Sequence, residues 1–224
     1  MSWWPPVTLI LMLICAIVFG FEFATGALDK IERLTEMGAI SAPHVEKGEF
    51  WRLLSAPFLH ASADHIVGNL LMLFVLGLAC EHAFGSSQFV FLFVAAALGG
   101  SFASLLNDKI SVGASGAIFG LAGAIIAMFR RHQSKLHLRD RRIGLVIGIW
   151  AVYQIVIGFL SPQIDNLCHI GGFTAGMVFG TVIPPAVLHD RVEFGQRLST
   201  IVMLALGCTA LAATSVWFVP RLAG

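Results

Sequence analysis

The sequence predicts an all-helical protein that crosses a membrane several times. Of its 224 residues, 57% are hydrophobic and only 12% are charged, whereas a soluble domain is about half apolar and about a quarter charged. The apolar residues are collected in runs that approach the length of about 20 residues needed to span a bilayer as a helix. The net charge of +1 and the absence of a long basic run give no indication of nucleic-acid binding.

Seven apolar segments are candidates for membrane-spanning helices. They lie at about 7–24, 62–80, 88–106, 115–129, 143–160, 168–185 and 199–219. The first six form a core over about 7–187, and the seventh is an extra C-terminal helix, so that 1–224 is expected to be one membrane-embedded domain. The first residues lack the basic region of a signal peptide, so no cleavable signal is expected.

The connections between the segments predict the topology. The loop 130–142 carries six of the 14 Lys and Arg residues, which places it in the cytoplasm by the positive-inside rule. The N-terminus is then cytoplasmic, while the long connection 26–58 and the C-terminus lie outside. Together with the apolar spans, this predicts an integral multi-pass membrane protein, and the expected location is a bacterial inner membrane.

The fourth segment begins with a serine that lies at membrane depth. Ser115 to Arg130 is 15 steps, or about 22 Å at about 1.5 Å per residue, whereas the hydrocarbon core is about 30 Å thick. Ser115 should therefore lie about 8 Å below the outer boundary, and His169, His65 and Asn69 fall in the same layer. The backbone before Ser115 must be irregular there, which is tolerated only inside the protein or beside water.

These four polar residues are the set that acyl transfer requires. Ser115 can act as nucleophile and His169 as base, while His65 and Asn69, at i and i+4 on one helix face, can donate to an oxyanion. Each residue also has a structural interpretation. A serine beside glycine often serves helix packing, and an intramembrane histidine or asparagine often bonds a neighbouring helix. Their occurrence together at one depth favours the catalytic interpretation.

Two motifs resemble the rhomboid intramembrane serine proteases over roughly residues 48–183. The family's G-x-S-G motif matches residues 113–116, and its His, four residues, His, three residues, Asn pattern matches His60, His65 and Asn69. The resemblance implies a six-helix membrane fold, here with one added helix. It implies a serine endopeptidase that cleaves single-pass membrane proteins within or beside their transmembrane helices and needs no cofactor.

The same resemblance implies roles for individual residues. Ser115 would be the nucleophile, His169 the base, and His65 and Asn69 the oxyanion contributors. Many members carry a tyrosine four residues after the serine, whereas this chain has Phe119. Its ring should point toward the imidazole of His169.

Other residues are expected to support the site without taking part in the chemistry. Gly113 and Gly116 flank the nucleophile, and His60 is expected to be a structural hydrogen-bond partner. Trp51-Arg52 is expected to anchor and scaffold the first outer loop, and Glu81 to form a cap or cytoplasmic-face bond. Close helix packing is also expected, with Gly116, Gly120 and Gly123 facing Gly172, Gly176 and Gly180.

Further expectations concern the role of Asp165, the absence of metals, the partners and the alternative functions. Asp165, four residues before His169, should lie hydrated in an outer loop, so the site should be a dyad and not a triad. The four cysteines and the remaining histidines show no metal spacing, so no metal or cofactor is expected. The expected partners are the lipid bilayer and transmembrane substrates. The alternatives are a catalytically silent protein of the same fold that binds membrane segments, and a small-solute transporter, for which the sequence lacks the internal repeats.

Overall fold

The computed structural model describes residues 5–135 and 138–188, and these residues form a bundle of helices. The helices are α1 (Pro6–Ala24), α2 (Ile31–Met37), α3 (Ala42–Glu46), α4 (Arg52–Ser55), α5 (Ala63–Phe84), α6 (Ser86–Ser104), α7 (Ser115–Arg131), α8 (Leu138–Phe159) and α9 (Asn166–Val182). Short 3₁₀ turns occur at Ala27–Asp29, Ala56–Phe58, Gln133–Lys135 and Ala186–Leu188. No strand occurs within the described ranges, where a single isolated bridge joins Ile40 and Ser111.

Five described helices are long and apolar enough to cross a bilayer. These spans are Pro6–Ala24, Ala63–Phe84, Ser86–Ser104, Arg142–Phe159 and Asn166–Leu188. The sixth apolar helix, α7, has 17 residues and extends about 25 Å, less than the hydrocarbon thickness of about 30 Å. The protein is therefore an integral, multi-pass membrane protein. The expected helix at 199–219 lies outside the described residues.

The short helix α7 occupies the centre of the bundle. It packs most extensively against α9 and α6, and it also contacts α5 and α8. Its residues from Gly116 to Ala124 are all buried, and most of them are glycine or alanine. A helix with such small side chains lets neighbouring backbones come close, which explains how α9 and α6 can pack so tightly against it.

The glycines of α7 and α9 meet at two of the three predicted positions. A methyl group added to Gly172 would overlap the carbonyl oxygen of Gly116, and one added to Gly176 would overlap that of Gly120. The third predicted pair is wrong. Gly180 lies against Ala124, and Gly123 instead approaches the backbone of Phe173 and Met177. The four-residue spacing of these contacts continues at Ala124, whereas Gly123 lies three residues after Gly120 and therefore faces a different part of α9.

Helix α6 also belongs to this close-packed region, through glycines that were not among the predicted contacts. An added methyl group on Gly99 would lie 3.1 Å from the carbonyl oxygen of Gly171, and one on Gly100 would lie 2.9 Å from that of Cys168. Glycines on α6 therefore let the N-terminal half of α9 lie directly against it.

The start of α1 is held by a carboxylate from α5. Glu81 accepts hydrogen bonds from the N–H of Val7 at 3.1 Å, and from the N–H and hydroxyl of Thr8 at 2.8 Å each. It also accepts from the hydroxyl of Ser86 at 2.7 Å. The first N–H groups of a helix have no partner within the helix, so Glu81 supplies one. Glu81 is thus a cap, as expected, although it caps α1 rather than its own helix.

The connection between α1 and α5 is held together by Arg52, which is 4% exposed. Its guanidinium donates to the carbonyl oxygens of Thr35 and Ala39 and forms an ion pair with Glu49 at 2.7 Å. It also lies 4.8 Å from the centre of the Trp51 ring, a cation–π contact. Because these bonds cross the loop, the expected scaffold role of Trp51-Arg52 is confirmed for Arg52.

Candidate active site

Ser115 is the first residue of α7 and follows a stretch without regular structure that begins after Ser104. This stretch is fixed by backbone bonds to the first loop. The N–H of Gly113 donates to the carbonyl oxygen of Ala56 at 2.9 Å, and Ile40 and Ser111 exchange two bonds of 2.9 and 3.0 Å. The irregular backbone before α7 therefore has hydrogen-bond partners inside the protein, which is the condition under which such backbone is tolerated within a membrane.

Gly113 permits the approach of the nucleophile's loop to α5. Its φ of +113° lies in the left-handed region that residues with a side chain rarely adopt. A methyl group at this position would also lie 2.6 Å from the His65 ring and 3.3 Å from Nδ2 of Asn69. Both the backbone conformation and the space at this position therefore require glycine.

His169 lies on the first turns of α9 and faces Ser115. Its Nε2 is 2.9 Å from the hydroxyl oxygen of Ser115. If the serine hydroxyl donates to Nε2, a neutral imidazole carries its proton on Nδ1. Nδ1 is buried and has no hydrogen-bond partner among the described residues. The close approach of α7 and α9 thus brings the two residues, 54 positions apart in sequence, within hydrogen-bond distance.

The ring of Phe119 packs on the imidazole of His169. The two ring centres are 4.3 Å apart and the planes are inclined by 12°, a stacked arrangement. The opposite face of Phe119 stacks on Trp150 of α8 at 5.2 Å. The contact expected between Phe119 and His169 is therefore present, while the part played by Trp150 was not predicted.

His65 and Asn69 of α5 lie beside the loop that leads to Ser115. Both contact the position of Gly113, as described above, and the Nδ2 of Asn69 is a buried donor without a partner among the described residues. The N–H groups in the first turn of α7 also lack helical partners. Side-chain donors beside Gly113 and backbone donors in the first turn of α7 therefore lie within a few residues of Ser115, and donors of this kind can stabilise a developing oxyanion.

Comparisons with known proteins identify the family of this chain. A family model described as Rhomboid domain matches residues 47–186. The chain belongs to the rhomboid family. It is 38% identical over 68% of its length to RHOMBOID-like protein 5 of Arabidopsis thaliana, which it covers by 50%. It is 33% identical over 89% of its length to Rhomboid protease GluP of Bacillus subtilis, which it covers by 38%.

A third relative extends over almost the whole chain. Rhomboid-like protease 3 of Toxoplasma gondii is 30% identical over 98% of this chain and is covered by 80%. The chain spans half or less of the length of the other two relatives. The names of two relatives place protease activity within the rhomboid family.

Asp165 is less exposed to solvent than expected. It is half-buried rather than hydrated, because it is the N-cap of α9 and accepts a hydrogen bond from the N–H of Cys168 at 3.2 Å. It also accepts from the amide of Asn107 at 2.8 Å and from the hydroxyl of Ser104. These bonds fix the N-terminus of α9, and with it His169, to the end of α6.

His60 is fully buried, and its partner Glu22 was not predicted from the sequence. Its backbone N–H donates to Oε1 of Glu22 at 2.9 Å, and its Nδ1 lies 3.2 Å from the carbonyl oxygen of Phe58. His60 is thus part of a hydrogen-bonded structure, as expected. Glu22 was overlooked, although a single carboxylate in the apolar segment 7–24 is a signal of function in a membrane helix.

The described residues contain no group of three His, Cys, Asp or Glu side chains that could hold a metal ion. Cys15, Cys80 and Cys168 are free and buried. Cys168 instead fills space beside the nucleophile, since a methyl group on Gly116 would lie 2.6 Å from its Sγ. Gly116 therefore lets α7 and α9 approach at the level of Ser115.

Proposed function

We propose that this rhomboid protein is an intramembrane serine endopeptidase that uses Ser115 and His169 as a catalytic dyad. The observation that carries the proposal is the 2.9 Å distance between Nε2 of His169 and the hydroxyl oxygen of Ser115. A nucleophile and a base within hydrogen-bond reach are the first requirement of covalent acyl transfer. The second requirement is a hydrogen-bond donor for the oxyanion, and the unpartnered amide of Asn69 next to Gly113 supports it.

The reaction follows from these positions. The hydroxyl oxygen of Ser115 attacks the carbonyl carbon of a substrate peptide bond while Nε2 of His169 takes the hydroxyl proton. The negative charge that forms on the carbonyl oxygen accepts hydrogen bonds from Asn69, His65 and the N–H of Ser115. When the tetrahedral intermediate collapses, the C–N bond breaks and His169 gives its proton to the leaving amine. A water molecule, activated by His169, then hydrolyses the acyl-enzyme.

The substrates proposed are single-pass membrane proteins, cut within or beside their transmembrane helices. The apolar exterior of the bundle and the central position of α7 support a substrate that arrives through the bilayer. A helix hides its carbonyl groups in its own hydrogen bonds, so a substrate must unwind at the cut. Glycine or proline near that position lowers the cost of unwinding.

The proposed setting is a bacterial inner membrane, with one membrane-embedded domain over 1–224 and an extra helix at about 199–219. The six basic residues of loop 130–142 support a cytoplasmic position for that loop and for the N-terminus. The end of the bundle that carries Ser115 then opens to the outer side, from which water enters.

The test is cleavage of a model single-pass substrate by the purified protein in liposomes. The unmodified protein and the exposed-serine control Ser87→Ala should cleave it, whereas Ser115→Ala and His169→Ala should not. The double variant should be no worse than either single variant, because the pair acts as a unit. A serine-directed phosphonate should label the protein and fail on Ser115→Ala. Equal cleavage by Ser115→Ala would refute the dyad, and binding without any cleavage would favour a silent rhomboid protein.

A further inference from the structure

A buried carboxyl group in the first membrane helix has no part in the mechanism above. Glu22 lies near the end of α1 and is 0% exposed, although its neighbours Phe21 and Phe23 are 60% and 74% exposed. An ionisable side chain within a membrane span is expensive and is most often retained for function. An apolar side chain would fill this position of α1 without that cost.

The hydrogen bonds of Glu22 point to the segment that precedes α5. Its Oε1 accepts the backbone N–H of His60 at 2.9 Å, across 38 positions of sequence. The Nδ1 of His60 lies 3.2 Å from the carbonyl oxygen of Phe58. Because a carbonyl oxygen can only accept, Nδ1 carries the proton and donates a hydrogen bond to it. The Oε2 of Glu22 and the Nε2 of His60 are both buried without a partner among the described residues. Anchoring α1 uses only one of the two carboxyl oxygens.

His60 connects this carboxyl group to the oxyanion side of the site. Its ring lies edge-on against the ring of His65, with the centres 5.2 Å apart and the planes inclined by 66°. The Nε2 edge of His65 lies in turn against Gly113, two residues before Ser115. A change in the position of His60 would therefore rotate or displace the imidazole that faces the nucleophile's loop.

We propose that Glu22 is a positioning residue of the oxyanion site. Its carboxyl group fixes His60, and the His60 ring fixes the orientation of His65. The inference rests on the proposed protease function and extends it to a residue of α1 that never touches the substrate. The competing explanation is that Glu22 only docks α1 on the bundle.

Cys15 provides a matched control for that competing explanation. It lies seven residues, or about two turns, before Glu22 on the same buried face of α1, and it is 1% exposed. Cys15→Ala removes buried contacts between α1 and the bundle without touching His60. A loss of activity that comes only from weaker docking of α1 should occur in both variants.

The experiment measures kcat and KM for cleavage in liposomes. Glu22→Ala should lower kcat by about tenfold or more, and by no more than the factor of about 10²–10³ typical of one lost oxyanion donor. KM should change little. Glu22→Gln keeps an oxygen that can accept from the His60 N–H and should retain most of the activity, as should Cys15→Ala. Adding Glu22→Ala to His65→Ala should cause no further loss of kcat, because both changes remove the same function, the hydrogen bond of a correctly oriented His65.

Two kinetic results would overturn the inference. One is a loss in Cys15→Ala as large as in Glu22→Ala. The other is a double variant in which the losses caused by Glu22→Ala and His65→Ala multiply, since independent effects are additive in free energy.

A second measurement separates this inference from the proposed function. Imidazole ¹⁵N resonances of the histidines, assigned with His60→Gln and His65→Gln, report ring environment without any cleavage. Glu22→Ala should shift the resonances of both His60 and His65, and Cys15→Ala should shift neither. If no Ser115-dependent cleavage occurs, the proposed function is refuted. The shifts still show whether Glu22 is coupled to His65 through His60. Unchanged His65 resonances in Glu22→Ala would refute it.

Discussion

The ring of Phe119 offers a direct test of how the proposed base is held. This side chain is 3% exposed and lies between His169 on one face and Trp150 on the other. The Nδ1 of His169 has no hydrogen-bond partner among the described residues. The described contacts that orient the imidazole are therefore the Ser115 hydroxyl and the Phe119 ring. Phe119→Leu removes the flat surface and keeps an apolar side chain.

The expected loss of activity follows from two magnitudes. An aromatic stack contributes about 0.5–1.5 kcal/mol beyond burial, which corresponds to about a two- to thirteen-fold change in rate at about 1.36 kcal/mol per tenfold. A displacement of a reacting group by about 1 Å can cost about 10²-fold. Because the ring of His169 has few other constraints, kcat of Phe119→Leu should fall by about 10- to 100-fold. The rate of Phe119→Tyr should remain close to that of the unmodified protein, since its ring keeps the stack.

Phe89 is a suitable control for lost packing. It lies in α6, is 0% exposed and makes its described ring contact with Phe93, at 6.5 Å. Both Phe→Leu changes should lower the free energy of unfolding by about 1–2 kcal/mol, which thermal unfolding in detergent would measure. Only Phe119→Leu should lower kcat of substrate cleavage beyond its loss of folded protein. Equal activity of the two variants would show that the stack does not orient His169.

Three other changes test the surroundings of the site by the same cleavage assay. Asn69→Ala should lower kcat by about 10²–10³-fold with little effect on KM, and an unchanged rate would make its amide a packing group. Gly176→Ala places a methyl group against the Gly120 carbonyl and should lower both activity and the free energy of unfolding, the latter by about 1–3 kcal/mol. The control Gly20→Ala, with no atom within 4 Å of the added group, should be neutral. Asp165→Asn keeps a capping side chain and should retain activity within about tenfold, against about 10⁴ for a lost triad aspartate.

Much of the fold could be predicted because its determinants are local in sequence. Apolar length identifies the membrane helices, and the six segments predicted within 7–185 agree with described helices to within a few residues at most ends. One boundary differs more, since α8 begins at Leu138 rather than at 143. The five preceding residues include several charged side chains, which a hydropathy criterion excludes even where the backbone remains helical.

The contacts between distant polar residues could not be predicted. Glu22 bonds a residue 38 positions away, and Asp165 bonds Asn107 and Ser104 at separations of 58 and 61. Such partners depend on which helices become neighbours, and a single sequence contains no periodic signal for this. The glycine pairs could be predicted in part because a spacing of four residues repeats along both α7 and α9. The third pair failed because Gly123 lies three residues after Gly120, and the residue four positions on, which meets Gly180, is Ala124.

The environment of Asp165 bears on whether the proposed site is a dyad or a triad. A triad aspartate accepts a hydrogen bond from Nδ1–H of the base. Here one oxygen of Asp165 accepts from Asn107 and from the N–H of Cys168, and the other accepts from Ser104. To reach Nδ1 of His169, the carboxylate would have to abandon the cap of α9, the helix that carries the base. The cap of α9 fixes the backbone of His169, and the packing of Phe119 on the imidazole takes over the orienting function that a triad carboxylate would have.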